Sequence, residues 1–239
     1  MRVNWNYIKL VVLLLLVGFL FAFSSHRNAN RKISEPRVTF MGENNLFITN
    51  QTVSKLLIQN YGGVENVPKE KLVLNELENA LKSNPMIKSA EVYVTVNGTL
   101  NAEIEQKRPI ARVSTNASYY IDDVGLFMPL SKNYSARVPL VTGYVEKNNL
   151  KNVFQIAQKI ENDEFLKKHV YEIHQDINKK LFLKLRTCDF LVGLGDVKFL
   201  DRKINNLKAF YKKNQKDKTL NTYSQVNLQF ENQVICTKI

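Results

Sequence analysis

Cysteine, tryptophan, histidine and glycine are all scarce in this chain: among 239 residues there are 2 Cys, 1 Trp, 3 His and 9 Gly. Cys188 and Cys236 have no Cys-x-x-Cys spacing, which argues against a zinc ribbon or a thioredoxin-like redox pair, and leaves open whether the two pair in an oxidising compartment. His169, Glu172 and His174 lie close in sequence, but i, i+3, i+5 is not the one-face spacing of a helical metal motif, and a strand would send the two histidines to opposite faces. They read as ordinary loop and strand residues. Glycine is too sparse for a phosphate cradle: Gly193-Leu194-Gly195-Asp196 lacks the third glycine of a dinucleotide loop, and there is no Gly-x-Ser-x-Gly elbow. No catalytic residue, cofactor, metal or small-molecule substrate is therefore expected.

Acidic residues are also in deficit, 22 against 34 Lys and Arg, for a net charge of +12. Such a balance can mark a nucleic-acid or anionic-surface binder. Here the cations are spread along the chain without a dense tract, many beside Asp, Glu or Asn, so no nucleic-acid role is assigned.

Long apolar runs are absent with one exception, residues 7–23, whose only charge is Lys9 at the end where an ammonium can snorkel to the headgroups. With its flanking turn the run reaches the lower limit of a membrane span, about 17 residues. A cleaved signal peptide is the rival reading, since Arg2 and Lys9 make a basic start and Ala22-Phe23-Ser24 approximates a small-x-small site. A retained anchor is preferred. Arg27, Arg31 and Lys32 balance Arg2 and Lys9, so charge counting does not orient it; large domains translocate with little regard to charge, and no second apolar run returns the chain. The expected layout is a short cytoplasmic tail (1–6), the anchor (7–23), a juxtamembrane linker (24–36) ending at Pro36, and an exported remainder. That remainder is long enough for two domains.

Residues 37–40 alternate as a short strand, and Gly42 to Asn45 form a turn cluster before Leu46, Phe47 and Ile48. A helix capped by Thr49 or Asn50 carries Val53, Leu56 and Leu57 and stops at Gly62-Gly63. A second, from about Asn75, turns Leu77, Ala80 and Leu81 inward and ends at Asn84-Pro85. Ala90, Val92 and Val94 then alternate with polar residues, Asn97-Gly98 is a hairpin signal, and Leu100, Ala102 and Ile104 alternate back. Leu77, Leu81, Val92, Val94 and Ile104 are expected to pack between helices and sheet. Further on, a turn at Asp122 to Gly125 needs a left-handed glycine, and a helix from about Leu150 carries Val153, Ile156, Ala157 and Ile160. Strands follow at 171–175, 181–185 and 190–194, then a helix capped by Asp196 with Val197, Leu200, Ile204, Leu207 and Tyr211 inward and Lys198, Arg202, Lys203, Asn206 and Lys213 on the opposite, solvent face. Strands at 226–230 and 234–238, joined by a turn at Glu231-Asn232, close the chain.

Strand, helix, helix and hairpin within one small region is the layout of a POTRA module. Three stretches follow in order: Asn84-Pro85-Met86-Ile87-Lys88-Ser89-Ala90-Glu91-Val92, then Glu105-Gln106-Lys107-Arg108-Pro109-Ile110-Ala111-Arg112, then Tyr120-Ile121-Asp122-Asp123-Val124-Gly125-Leu126-Phe127. Together, behind one apolar run, they resemble the successive signatures of the bacterial cell-division family FtsQ/DivIB. The resemblance covers essentially the whole chain and implies an α+β fold: one transmembrane helix, a POTRA domain (37–108) with a three-stranded sheet and two helices, and a mixed C-terminal β domain (109–239) with flanking helices. It departs from the family in its very short cytoplasmic tail. In a bacterial chain the Asn-x-Ser/Thr triplets at Asn50, Asn97, Asn116 and Asn133 are chance.

The function the resemblance implies is a membrane-anchored, non-enzymatic scaffold of the division complex in the cell inner membrane. Its periplasmic domains would bind divisome membrane proteins of the FtsB and FtsL type at the septum, with FtsW and FtsI types as further candidates. The alternative is a POTRA-type chaperone or assembly factor for exported or outer-membrane proteins, but no series of alternating segments after Leu150 supplies the barrel such proteins carry. The last strand can pair on one side only, so an extended partner could add to its free edge. In the family, FtsB binds the last strand and the hairpin beside it. Carried over, this makes Phe230 an aromatic anchor and Val234, Ile235, Cys236 and Thr237 the paired strand. The strand here lacks an aromatic residue near its end, and the plain reading is that it merely closes the domain.

Overall fold

The computed structural model describes residues 5–29, 34–42, 45–59, 73–230 and 233–239. The chain is α+β, with an apolar N-terminal helix and two compact units, residues 1–106 and 107–239. Helix α1 (Trp5–Ala29) is apolar around its whole circumference, and the side chains of residues 7–27 are exposed. Its stretch Tyr7–Arg27, 21 residues, is long enough for the hydrocarbon core at a rise of about 1.5 Å per residue, about 31 Å in all. It is the one described helix long and apolar enough to cross a membrane. The helix outruns the apolar run because Ser24, Ser25 and His26 are poor helix formers but not breakers.

The first unit contains β1 (Ser34–Met41), α2 (Asn50–Gln59), α3 (Leu74–Lys82), β2 (Ile87–Val94) and β3 (Thr99–Gln106). Its three-stranded sheet has the order β1-β3-β2. Strands β2 and β3 form an antiparallel hairpin across Asn97-Gly98, with Gly98 at φ +87° as such a turn requires. β1 lies parallel to β3, with Val38 opposite Ala102 and Phe40 opposite Ile104. Alternation puts Ala90, Val92, Leu100, Ala102 and Ile104 on one face, where they form a single core with Val53, Leu57, Leu77 and Leu81 of the two helices; Val94 is half-buried against it. Thr49 caps α2, its hydroxyl accepting from the Thr52 amide at 3.3 Å, and α3 ends at Lys82, just before Asn84-Pro85. The expected stop at Gly62-Gly63, with Asn60 and Tyr61, lies outside the described residues. The segment entering α2 is not a strand. Instead the buried Gln106 amide accepts from the amides of Phe47 (2.9 Å) and Ile48 (3.2 Å) and donates to the Ile48 carbonyl (3.1 Å), serving in place of a ladder partner.

The second unit contains β4 (Pro109–Ser114), β5 (Ser118–Asp122), β6 (Phe127–Met128), β7 (Leu140–Gly143), α4 (Lys151–Glu161), α5 (Glu164–His169), β8 (Val170–Gln175), β9 (Leu181–Leu185), β10 (Leu191–Gly195), α6 (Leu200–Lys216), β11 (Tyr223–Asn227) and β12 (Ile235–Lys238). They build a nine-stranded sheet of order β12-β11-β10-β9-β8-β7-β4-β5-β6. Three neighbouring pairs are parallel, β4 with β7, β7 with β8, and β10 with β11. The last two are joined through helices, as parallel neighbours require. Register aligns Tyr119, Val113, Val141, Ile173, Leu183, Val192, Val226 and Cys236 into one row across eight strands. That row shares a core with Val153, Ile156, Ala157 and Ile160 of α4 and with Ile204, Leu207 and Tyr211 of α6.

Turns explain two local features. At the β5–β6 turn Gly125 has φ +84°, and the buried Asp122 carboxylate accepts from the amides of Val124 (3.2 Å) and Leu126 (2.7 Å) while meeting the Lys107 ammonium at 2.9 Å. Before α6 the expectation fails in detail: Asp196 does not cap the helix, which starts at Leu200 behind Phe199. The reason is Lys203, whose buried ammonium takes the Asp196 carboxylate (2.9 Å) together with the carbonyls of Asp196 (2.8 Å) and Leu194 (2.9 Å). A buried ammonium needs such a cage.

Candidate functional site: the C-terminal sheet margin

The last strand of the chain is the outermost strand of the larger sheet. β11 is held on β10, with Val226 opposite Val192, and β12 runs back along β11, pairing Ile235 with Asn227, Cys236 with Val226 and Thr237 with Gln225. The Ser224 hydroxyl donates to the Thr237 carbonyl at 3.3 Å, and the Ile239 amide to the Thr222 carbonyl at 3.1 Å, tying down the strand's end. Among the described residues no strand lies beyond β12, so its outer edge carries unpaired main-chain donors and acceptors.

Alternation sorts the five residues singled out in the sequence. Val234 and Cys236 turn toward the helix-covered face and pack on the core, whereas Ile235 (42% exposed) and Thr237 face outward. Phe230, 47% exposed, follows β11, which ends at Asn227 and not at Phe230. Beyond Asn227 the chain turns: the Asn227 side-chain carbonyl accepts from the Gln229 amide at 2.9 Å, taking that amide out of the ladder. The turn at Glu231-Asn232 lies outside the described residues.

Beside the margin runs a groove of about 380 Å³ between α6 and the end strands, lined by Ala209, Phe210, Lys213, Asn214, Tyr223 and Val234. The sequence reading put Lys213 on the solvent face of α6 but did not connect that face to β12, because the connection is a tertiary contact with no sequence spacing. Strand β12 thus offers a main-chain edge, an outward Ile235, and a groove with one cation and two rings. That combination suits an extended peptide.

Both cysteines are free thiols, half-buried against the core, and burial pushes each thiol up from its ordinary value. Neither is an activated nucleophile. The two histidines lie on different elements, His169 at the end of α5 and His174 on β8. His169 stacks among Phe165 and Tyr211 on the covered side, with ring centroids 4.7 and 4.8 Å away. His174 lies on the open face, its Nδ1 2.9 Å from the Thr142 hydroxyl, which itself donates to Glu172 at 2.8 Å. Since that hydroxyl has one hydrogen, Nδ1 of His174 carries the proton between them. Burial pushes the Glu172 carboxyl up, but bonds from Lys184 and Thr142 outweigh it and hold it below the usual carboxylate range. These three side chains form a cross-strand polar ladder. No group of three His, Cys, Asp or Glu side chains among the described residues could hold a metal ion.

Comparison with known proteins finds two matched segments. Residues 108–237 match the family described as FtsQ/DivIB, C-terminal related, and residues 42–105 match the POTRA-like domain. A curated relative, the cell division protein FtsQ of Geotalea daltonii, is 26% identical over 180 residues, covering 70% of this chain and 64% of the relative. The match thus spans just under two thirds of that protein's length.

Proposed function

This chain belongs to the FtsQ/DivIB family, and from that premise we propose that it is a cell-division protein, a single-pass, non-enzymatic scaffold held in the inner membrane by α1. On this reading the two units, bounded near residues 37–108 and 109–239, lie in the periplasm at the division septum. They gather divisome membrane proteins of the FtsB and FtsL type, and further ones of the FtsW and FtsI type.

The observation that carries the partner site is the place of β12 at the end of a nine-stranded sheet. An extended segment of an FtsB-like partner adds to that edge: main-chain bonds give affinity, and Phe230, Ile235 and Thr237 give specificity through their outward side chains. Val234 and Cys236 face inward and keep the strand seated. Phe230→Ala and deletion from Val234 onward test this. Both variants are expected to keep their circular dichroism spectrum, lose recovery of an FtsB-like partner in pull-downs and fail to support division. Undiminished partner recovery by the deletion would rule the site out. Localisation tests the wider reading: a fluorescent fusion is expected as a midcell band, and a uniform envelope signal would count against a septal role.

A further inference from the structure

The second unit has another groove, whose lining shares no residue with the β12 margin. It encloses about 470 Å³ and is lined by residues 115–119 around the β4–β5 turn, by Phe127 of β6, and by Gly143, Tyr144, Val145 and Lys147 at the exit of β7. That volume lies within the range of small-ligand sites, about 300–1,000 Å³. The exit loop is pinned in place. The Tyr144 amide donates to the Gln175 carbonyl at 2.8 Å, and the Gln175 side-chain amide donates back to the Tyr144 carbonyl at 2.6 Å. Gly143, at φ +87°, passes so close to Gln175 that a Cβ would strike its carbonyl.

One group in the lining is left unused by the fold. Tyr119 is 4% exposed, and its hydroxyl is buried and bonded to no described residue. A buried hydroxyl without a partner costs the folded state free energy that phenylalanine, of nearly the same shape, would not. Burial also pushes the Tyr119 phenol above its ordinary value, so it keeps its hydrogen and can donate. A hydroxyl so placed calls for an acceptor.

The rest of the lining says which acceptor. Lys147 is its one ionised side chain; the ammonium stands 3.6 Å from the centroid of the Phe127 ring, which lies 5.2 Å from that of Tyr119. Among the described residues no carboxylate pairs with Lys147, and Glu146, outside the lining, is taken by the Tyr144 hydroxyl at 3.0 Å. One ammonium beside a neutral phenol suits a carboxylate, whereas a nucleic-acid strand would call for a row of cations. The exposed side chain of Asn116 bonds no described residue, and its amide can both give and take a bond with a peptide group. Phe127, Tyr144 and Val145 add an apolar wall. A carboxylate, a peptide group and an apolar side chain are together the last residue of a polypeptide. We propose that this groove binds the carboxyl end of a peptide: its carboxylate meets the Lys147 ammonium and the Tyr119 hydroxyl, its last peptide group bonds Asn116, and its terminal side chain packs on the apolar wall.

The test uses the full chain in detergent micelles. The probe is the tripeptide glycyl-alanyl-leucine, labelled with fluorescein at its amino end and followed by anisotropy, against the same tripeptide ending in a carboxamide. The acid is expected to bind at least about tenfold more tightly than the amide, and less tightly as salt rises. Lys147→Met and Tyr119→Phe should each weaken the acid by about tenfold and the amide hardly at all. Tyr119→Phe should leave the melting temperature unchanged or raised, because it removes an unbonded hydroxyl. Equal binding of acid and amide, or no saturable binding of the acid, would overturn the proposal. So would a Tyr119→Phe variant that melts lower and binds the acid as wild type does, since the hydroxyl would then be structural. Displacement of the probe by gluconate but not by unlabelled tripeptide would assign the groove to a sugar acid instead. A longer, disordered peptide with the same last three residues separates the sources: equal affinity points to the end of a protein chain, and binding of the tripeptide alone to a free oligopeptide. Because β12 is untouched, partner recovery through the sheet margin can survive the failure of this groove, and the reverse.

Discussion

The two units of this chain solve the same packing problem with different surfaces. In each, helices cover one face of a sheet and a single core lies between them. Their charge is unlike. Residues 1–106 hold 11 Lys and Arg against 9 Asp and Glu, whereas residues 107–239 hold 23 against 13, so +10 of the net +12 belongs to the second unit. Their margins differ as well. The small sheet ends in two strands of eight residues each, and the large sheet in a two-residue stub, β6, at one side and β12 at the other. A stub gives a partner almost no ladder to extend. The large sheet is therefore guarded at one side and open at the other, and the open side belongs to the unit with the charge excess. A diffuse positive charge that looked uninformative along the sequence becomes informative once assigned to one unit.

The sharpest way to break that comparison is to weaken each core in turn. Leu81 and Leu207 are fully buried in their separate cores. Leu81→Ala and Leu207→Ala should each cost about 2–5 kcal/mol, the spread reflecting how far each site can collapse. Two transitions are expected in calorimetry of residues 34–239, each variant lowering one. A single transition lowered equally by both would show one cooperative structure where two are inferred.

A smaller effect tests how the first unit holds its entry into α2. Gln106→Leu keeps the approximate volume but leaves the buried amides of Phe47 and Ile48 without their acceptor, a loss of about 1–3 kcal/mol per orphaned group. The lower-charge unit alone should melt earlier. If Gln106→Leu is neutral, water satisfies those amides and the bridge is incidental.

The same contrast shows which features the sequence makes legible. In the first unit the hairpin is announced by Asn97-Gly98 between two alternating runs, and the helix end by Asn84-Pro85, since both signals are local. The second unit's strands at 171–175, 181–185 and 190–194 are equally visible, but their order is not. Nothing in the spacing of Val113, Val141 and Ile173 says that they align across parallel strands, because β4 reaches β7 by way of β5 and β6 and β7 reaches β8 through α4 and α5. Asp196 was plausible as a cap from its neighbours alone. It is claimed by Lys203, a residue on the solvent side of the expected helix face that turns inward to a carbonyl cage. For the candidate site, the edge position of β12 follows from the strand order among the described residues. Which side chains face out does not, until the register with β11 is known.

The smallest predicted effect separates the units by pH. His169 is held below its ordinary value, first by burial beside Phe165 and Tyr211 and second by the neighbouring Lys168 ammonium. Its Nδ1 lies 3.4 Å from the Tyr211 hydroxyl, which is itself 3.0 Å from the Thr187 hydroxyl. A depressed histidine means that the unfolded chain binds a proton more readily than the folded one. The stability it contributes is complete above the unfolded value of about 6.5 and is lost as pH falls through 6.5 toward the lower folded value. In the first unit Glu78 and Glu105 are the shifted carboxylates, Glu78 lowered chiefly by its bond from the Val92 amide and Glu105 by Lys88. Their contributions begin to fade only near the ordinary carboxylate value of about 4.3. Between about pH 7.5 and 5.5 the second transition should therefore move down while the first stays in place, by well under the core-truncation effect. His169→Phe keeps the aromatic cluster and removes the proton site, so it should flatten the second unit's response over that interval. An unchanged slope in His169→Phe would show that this imidazole does not set the acid sensitivity of the second unit.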